Sequence, residues 1–485
     1  MNTVADVVVD GLKRAGTPRL FGVPGVGANA RLLDAARAHD LPFVLAYGDA
    51  AACVMAAVTG DLVGAPGVAL AGPGPGVAAA VTGVAHAALD RSPMILLTDR
   101  HPGTLLACKA SLRLEAPSAG HWIAHAARLA LTPPRGPVHL DLPAGVAGAP
   151  AVPVAAAWRP EPPPPPAPEA LDAAATLLAR ASRPVLVVGL GGRGAEAAPW
   201  LTAFAEALPA PVLATRKGKG AVPDPHPLRL GVLPGGAVEE DLLARADLVV
   251  ALGLDAVEAS PDSWPGDSAL LHIAPFPAPG GLRRPVTEVA GDVALILEEL
   301  APRLRGGVRA DWDVAALDRL KRELRAPGVA TGRLTRRRVV AIAREALPAG
   351  TLAAVDPGPH AGDVAAGWDA IGPGEFLVSD GSATTGFALP AAIAAHLARP
   401  DRRVVCFTAA AGLVAAASEL ETATRLRVPV IVVAFGESGT GAPELQRLTR
   451  SFGVPAFAAD GEERFAEALE RALAAGGPAV VAVWA

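Results

Sequence analysis

Asparagine is almost missing from this chain. Asn2 and Asn29 are the only two in 485 residues, so nothing beyond residue 29 can serve as an asparagine ligand for a metal or a phosphate. Aromatic residues supply 4% of the chain although hydrophobic residues supply 51%, so its cores must be built from Ala, Val and Leu. Cys53, Cys108 and Cys406 lie far apart and form no CxxC pair. That excludes the common thiolate metal sites and fits a reducing cytoplasm. Lysine is scarce and the net charge is −5, which leaves no basic footprint for nucleic acid or for an anionic membrane surface. No apolar run approaches the ~20 residues needed to span a bilayer. The opening Met1-Asn2-Thr3-Val4-Ala5-Asp6 has neither the basic nor the apolar region of a secretory signal. These absences predict a cytoplasmic protein whose ligand is a small molecule.

What the chain does have is alternation. Its length suits about three domains at roughly 150 residues each. Pro162 to Pro166 form a proline run that no helix or central strand accommodates. A charged stretch from Arg305 to Thr335 reads as a second linker, with one helical segment at Ala315–Leu320. These cuts leave blocks 1–155, 168–304 and 336–485. In the first block, Leu20–Gly25, Val68–Ala71, Met94–Thr98 and Val138–Leu142 read as buried strands, and 27–38, 50–60, 77–90 and 118–130 read as helices. Pro184–Gly189, Asp247–Gly253 and Leu270–Ile273 repeat the strand pattern, as do Val404–Thr408, Val428–Phe435 and Pro478–Val483. Short apolar strands alternating with helices predict parallel sheets covered on both faces. The expected architecture is three such α/β domains in tandem.

The motifs narrow this further. Phe21-Gly22-Val23-Pro24-Gly25, Gly74-Pro75-Gly76 and Asp90-Arg91-Ser92-Pro93 occur in the first block. Lys217-Gly218-Lys219-Gly220 and His226-Pro227-Leu228 occur in the second, and Thr385-Gly386-Phe387-Ala388-Leu389-Pro390 with Arg399-Pro400-Asp401 in the third. In this order they resemble the thiamine-diphosphate (ThDP) enzymes of the acetolactate synthase type. The resemblance implies a pyrimidine-binding domain, a central domain and a diphosphate-binding domain, in a homodimer or homotetramer. It also implies ThDP and Mg²⁺ as cofactors, bound between the first domain of one subunit and the third domain of another.

Carried onto this sequence, the resemblance places Gly25, Gly74 and Gly76 in the first-domain wall of the cofactor site. Thr385, Ala410, Ala411, Gly412, Gly436 and Glu437 fall in the third-domain wall. The family's glutamate, which shares a proton with the aminopyrimidine, falls on Asp49, one methylene shorter. Its metal-binding Gly-Asp-Gly falls on Ala409-Ala410-Ala411, and its Asn-Asn pair falls on Gly436-Glu437. No metal ligand is therefore assigned. Alanine and glycine side chains cannot bind a hard cation, which takes oxygen ligands. The N–H groups of Ala411 and Gly412 could still form a small anion nest. Thr385 replaces the bulky residue that bends ThDP. Ser379-Asp380-Gly381 aligns one strand too early to substitute for the lost motif.

Plainer readings stand beside these. Asp49 also fits a helix N-cap, and Gly74-Pro75-Gly76 fits a structural turn. Gly189-Leu190-Gly191-Gly192-Arg193-Gly194 reads as a strand-to-helix turn or, since relatives bind FAD, ADP or CoA in this domain, as a nucleotide loop. Lys217 and Lys219 read as solvated turn charges or interdomain contacts. His86, His101 and His121 read as packed or solvated, and Glu419 as a cap or surface residue. Three functions follow. The first is an acetolactate synthase-like protein with a degenerate ThDP–Mg site, silent or reused for another small anion. The second is an active ThDP-dependent enzyme of 2-oxo acid chemistry with an unconventional site. The third is a half-site partner of an intact relative in a hetero-oligomer.

Overall fold

The computed structural model describes residues 2–99, 105, 107–258, 265–278, 284–304, 310–326, 334–436 and 442–484. Of the residues named above, Met1, His101, Arg305 and Glu437 lie outside them. Three six-stranded sheets are described, and every strand pairing within them is parallel.

The first sheet holds β1 (Leu20–Gly22), β2 (Phe43–Leu45), β3 (Gly67–Ala71), β4 (Met94–Thr98), β5 (Ser111–Arg113) and β6 (Pro137–Asp141). Its order is β2-β1-β3-β4-β6-β5. The middle sheet holds β7 (Pro184–Val188), β8 (Val212–Thr215), β9 (Arg229–Leu233), β10 (Leu248–Leu252), β11 (Ala269–Ala274) and β12 (Thr287–Ala290). Its order is β12-β11-β10-β7-β8-β9. The third holds β13 (Leu352–Val355), β14 (Phe376–Val378), β15 (Val404–Ala409), β16 (Ile431–Phe435), β17 (Ala456–Ala459) and β18 (Ala479–Val483). It repeats the first in order, β14-β13-β15-β16-β18-β17. In such sheets the strand order reverses at one point, and the crevice beyond the carboxyl ends there is the natural ligand position. That point lies between β1 and β3, between β7 and β10, and between β13 and β15.

Fully buried strands such as Gly67–Ala71 and Met94–Thr98 explain the continuous apolar runs in the sequence. The small-residue composition has a structural use as well. The helix Asp49–Val63 buries Ala52 through Val58 on all sides. It lies so close to the helix Pro75–Leu89 that a β-carbon on Gly83 would stand 2.4 Å from the Cys53 β-carbon. The helix Asp49–Val63 also packs against Ala388–Ala398. One core therefore runs through both outer sheets, with Phe21, Met55 and Leu96 joined to Phe387, Ile393 and Val432. The middle sheet packs separate cores on its two faces.

The stretch read as a second linker is partly docked. Its helix, Val314–Arg325, lies on the middle domain: Trp312 Nε1 donates to Pro184 O at 2.9 Å and Lys321 Nζ to Asp224 O at 2.9 Å. Apolar Leu317 and the stem of Lys321 supply the buried face that a free linker would not need.

Candidate functional site

At the reversal point of the first sheet, Asn29 is buried and its Nδ2 donates to Ala71 O at 3.1 Å. Asp49 is the first residue of its helix. Gly48 holds the cap position, without a side-chain cap bond, so the N-cap reading of Asp49 is corrected. The Asp49 carboxylate turns instead toward the adjacent strand end, where Oδ1 accepts the Gly72 N–H at 3.3 Å. A β-carbon on Gly76 would stand 3.2 Å from the same oxygen, whereas β-carbons on Gly72 and Gly74 would meet open space. Gly74 has φ +66° and precedes Pro75 at the helix start, a turn that glycine adopts without strain. Burial raises the Asp49 carboxyl above its ordinary value, although the Gly72 N–H opposes the shift. Asp49, Gly72 and Gly76 thus form one set, with Gly74 on its rim and Gly25 beside Asn29.

At the reversal point of the third sheet the central group is Asp356, just beyond β13. Its carboxylate accepts Thr408 Oγ1 at 2.5 Å, Ala388 N at 2.7 Å and Gly386 N at 3.3 Å. Burial raises this carboxyl. A β-carbon on Gly412 would stand 2.3 Å from Asp356 Oδ2 and 2.4 Å from Thr408 Oγ1, so only glycine fits there. The expected anion nest at Ala411 and Gly412 therefore has a carboxylate against its Gly412 side. Ala410 is a buried methyl and Ala411 is exposed. Thr385 is exposed beside Gly386, which has φ +79°.

Gly436 follows β16 directly. A β-carbon there would stand 2.7 Å from Trp484 Nε1 and 2.9 Å from Trp484 Cε2. Phe435 stacks on His360 with ring centroids 5.2 Å apart. Burial pushes the His360 imidazole down to about 4, and its Nε2 has no hydrogen-bond partner. It is therefore neutral at pH 7. Among the described residues, no group of three or more His, Cys, Asp or Glu is placed to hold a metal ion.

Several residues behave differently from their sequence reading. Glu419 is neither a cap nor a surface residue. It is buried, and its Oε1 accepts the N–H groups of Tyr47 and Gly48, immediately before Asp49. Thr422 Oγ1 donates to its other oxygen at 2.8 Å, and burial raises the carboxyl. From the same helix, Arg425 Nη2 donates to Leu45 O at 2.7 Å. The two sets of site residues are thus linked through the helix Glu419–Arg425.

Of the two readings of Lys217, the interdomain contact holds and the solvated charge does not. Its Nζ lies 2.9 Å from Asp90 Oδ1, and both groups are buried. His86 Nδ1 lies 2.5 Å from Asp90 Oδ2 and 3.0 Å from Ser379 Oγ. This knot joins all three domains. It is not a nucleophilic triad, because the carboxylate and the hydroxyl meet the same imidazole nitrogen. Burial favours a neutral Asp90, but Lys217 and His86 outweigh it and hold the carboxyl well below the usual range. The signal missed in the sequence was the His86–Asp90 spacing of four on one helix face. Lys219 is likewise buried and pairs with Asp224 at 2.6 Å. Asp380 pairs with Arg216 at 2.9 Å.

In the middle sheet, the turn Gly189–Gly194 lies at the β7/β10 reversal point. Leu190 N donates to Glu258 Oε2 at 2.7 Å, Gly191 N to Gly253 O at 2.7 Å and Gly192 N to Gly189 O at 2.9 Å. Thr215 Oγ1 donates to the other Glu258 oxygen. Burial pushes the Glu258 carboxyl up to about 7. Among the described residues, no helix is long and apolar enough to cross a membrane.

The comparisons bear on the family and the fold. Residues 2–113 match the N-terminal TPP binding domain of thiamine pyrophosphate enzymes, 171–300 their central domain and 356–446 their C-terminal TPP binding domain. The chain is 28% identical over 477 residues to the acetolactate synthase isozyme 1 large subunit of Escherichia coli (strain K12), covering 92% of this chain and 83% of that one. It is 27% identical over 527 residues to the catabolic acetolactate synthase of Raoultella terrigena, covering 99% and 94%. In fold it is similar to the thiamine diphosphate-dependent 4-hydroxybenzoylformate decarboxylase of Rhodococcus jostii RHA1. That likeness has a TM-score of 0.83 at 22% identity, over 100% of this chain and 99% of the other.

Proposed function

The chain belongs to the thiamine-diphosphate-dependent enzyme family, on its acetolactate synthase-like side, and from that we propose a member whose ThDP–Mg site is degenerate. ThDP is the cofactor expected of the family. The observation that carries the reading is the third-domain wall. Ala410 and Gly436 offer no side-chain oxygen, Thr408 Oγ1 donates to Asp356, and an indole stands where a side chain at 436 would begin. A metal-bridged diphosphate does not fit this donor set. The protein is accordingly proposed not to carry out 2-oxo acid decarboxylation and carboligation on its own. Its cleft is silent or takes another small anion. Calorimetric titration of dialysed protein with ThDP, with and without Mg²⁺, tests this. No heat at millimolar ThDP is expected, and micromolar, Mg²⁺-dependent binding would return the chain to the active enzymes.

A second reading rests on the one-sidedness of the loss. The first-domain half keeps a partly buried carboxylate at Asp49 and an open turn at Gly72–Gly74. A protein of this kind would complete a mixed site with the third domain of an intact relative. Native mass spectrometry of the chain co-expressed with such a relative tests that reading. Separate homo-oligomers alone would refute it.

A further inference from the structure

We infer that the third-domain loop between β14 and the helix Ala388–Ala398 is latched from outside its own domain, by His86 and Asp90 of the first domain and Arg216 of the middle one, so that it keeps its shape only while all three domains are docked. This goes beyond the cofactor reading and holds whether or not the cofactor binds. Side chains take up the loop's N–H groups. Gly381 N donates to Asp90 Oδ1 at 3.4 Å, Thr384 N to Ser379 Oγ at 3.2 Å and Gly386 N to Asp356 Oδ2 at 3.3 Å. Ser379 Oγ lies in turn 3.0 Å from His86 Nδ1. That nitrogen also stands 2.5 Å from Asp90 Oδ2, where a lone pair would face a carboxylate, so it carries a proton and Ser379 Oγ accepts. With two donors on its oxygen, the Ser379 hydroxyl donates to Ser382 Oγ, 3.0 Å away, and Ser382 Oγ lies 2.6 Å from Thr384 Oγ1.

The fit is close on the apolar side as well. A β-carbon on Gly381 would stand 2.6 Å from the Leu89 β-carbon, and the His86 ring lies against Phe387 with centroids 4.8 Å apart. Arg216 Nη1 donates to Asp380 Oδ1 at 2.9 Å, and Lys217 Nζ lies 2.9 Å from Asp90 Oδ1. The middle domain thus holds the loop both directly and through the first domain. Strain is the second, independent observation. Ala383, exposed within the loop, has φ +46°, a left-handed conformation in which its β-carbon crowds the backbone. Such a conformation persists only where the surroundings impose it. On one side of Ala383, residues 379–381 are tied to the first and middle domains; on the other, Thr384 and Gly386 are tied to Ser379 and Asp356. The loop ends on Gly386 and Ala388, whose N–H groups both serve Asp356. Release of the anchors would therefore reach Asp356 through those two bonds.

Hydrogen exchange read by mass spectrometry on the full chain tests the latch, comparing wild type with Arg216→Ala and Ser379→Ala. Both variants should exchange the amides of 380–388 about tenfold faster, with β15 and the strands of the middle sheet unchanged. Unchanged protection of 380–388 in Arg216→Ala overturns the cross-domain anchor. Acceleration spread evenly over the third domain also overturns it, since the loss is then one of overall stability. A thermal measurement serves if Arg216→Ala folds poorly. Ala383→Gly removes the strain and should raise the melting midpoint of wild type, but by less than about half as much in Ser379→Ala, where the loop has already relaxed. Equal shifts in the two backgrounds would refute the latch.

Discussion

Glu419 of the third domain accepts hydrogen bonds from the backbone N–H groups of Tyr47 and Gly48, at 3.0 and 3.2 Å, and so holds the turn that presents Asp49. Removing that carboxylate leaves two donors at an interdomain contact without their acceptor. Each loss costs about 1–3 kcal/mol where water cannot replace the partner. Glu419→Ala should therefore lower stability in urea unfolding by ~2 kcal/mol or more, and Glu419→Gln, which keeps an acceptor oxygen, by less. Equal, negligible effects of both would show that the contact is dispensable.

A second prediction concerns Asp90 and Lys217. Breaking a buried ion pair by removing one member leaves the other charge uncompensated, typically at about 3–5 kcal/mol. Asp90→Ala strands the buried Lys217 ammonium. Asp90→Ala with Lys217→Met removes both charges and should recover most of the loss. A double-mutant cycle in urea measures the coupling. A coupling near zero would show that the pair does not bind the first domain to the middle one.

Glu258 makes stability depend on pH. Its carboxyl is raised by burial from 4.5 to about 7. Between those values the folded protein keeps a proton that the unfolded chain has released. The stabilisation is full below pH ~4.5 and is lost as pH rises through ~7. Glu258→Gln should flatten that decline, by up to ~3 kcal/mol across the window. Melting midpoints of both proteins from pH 4.5 to 8 provide the measurement, and parallel curves would contradict the assignment.

The same carboxylate bears on the middle domain's glycine turn. Leu190 N–H, the donor a nucleotide phosphate would seek at this crevice, already serves Glu258. Titration of wild type with ADP or FAD at pH 8 should give no saturable binding. Submillimolar binding of either would show that the turn opens for a ligand.

The sheets were legible because buried parallel strands read as unbroken apolar runs, as in Val404–Ala409 and Leu248–Leu252. The absence of ligand side chains at 410 and 436 was legible too, since it needs only residue identity. What lies beside Gly436 was not. The seat of Trp484 beside Gly436 follows from the pairing of β16 with β18, strands with more than 40 intervening residues. The role of Glu419 follows from a contact 372 positions away. Its helical spacing gave a local reading, cap or surface, and tertiary burial overrode it. For Lys217 and Lys219 the sequence left solvated charge and interdomain contact open, and only the positions of Asp90 and Asp224 decide between them: Lys217 is an interdomain contact and Lys219 a buried pair within the middle domain.

The continuous core through the outer sheets limits how this chain can be taken apart. Phe21, Met55 and Leu96 share one interior with Phe387, Ile393 and Val432. Arg19 and Arg399 tie the same two domains through Leu397 O and Leu62 O. The middle domain packs its own interiors and is tied to the other two chiefly through polar contacts such as Lys217–Asp90 and Arg216–Asp380. The outer two form one inseparable unit, so a lineage that abandons the chemistry of one must still carry both.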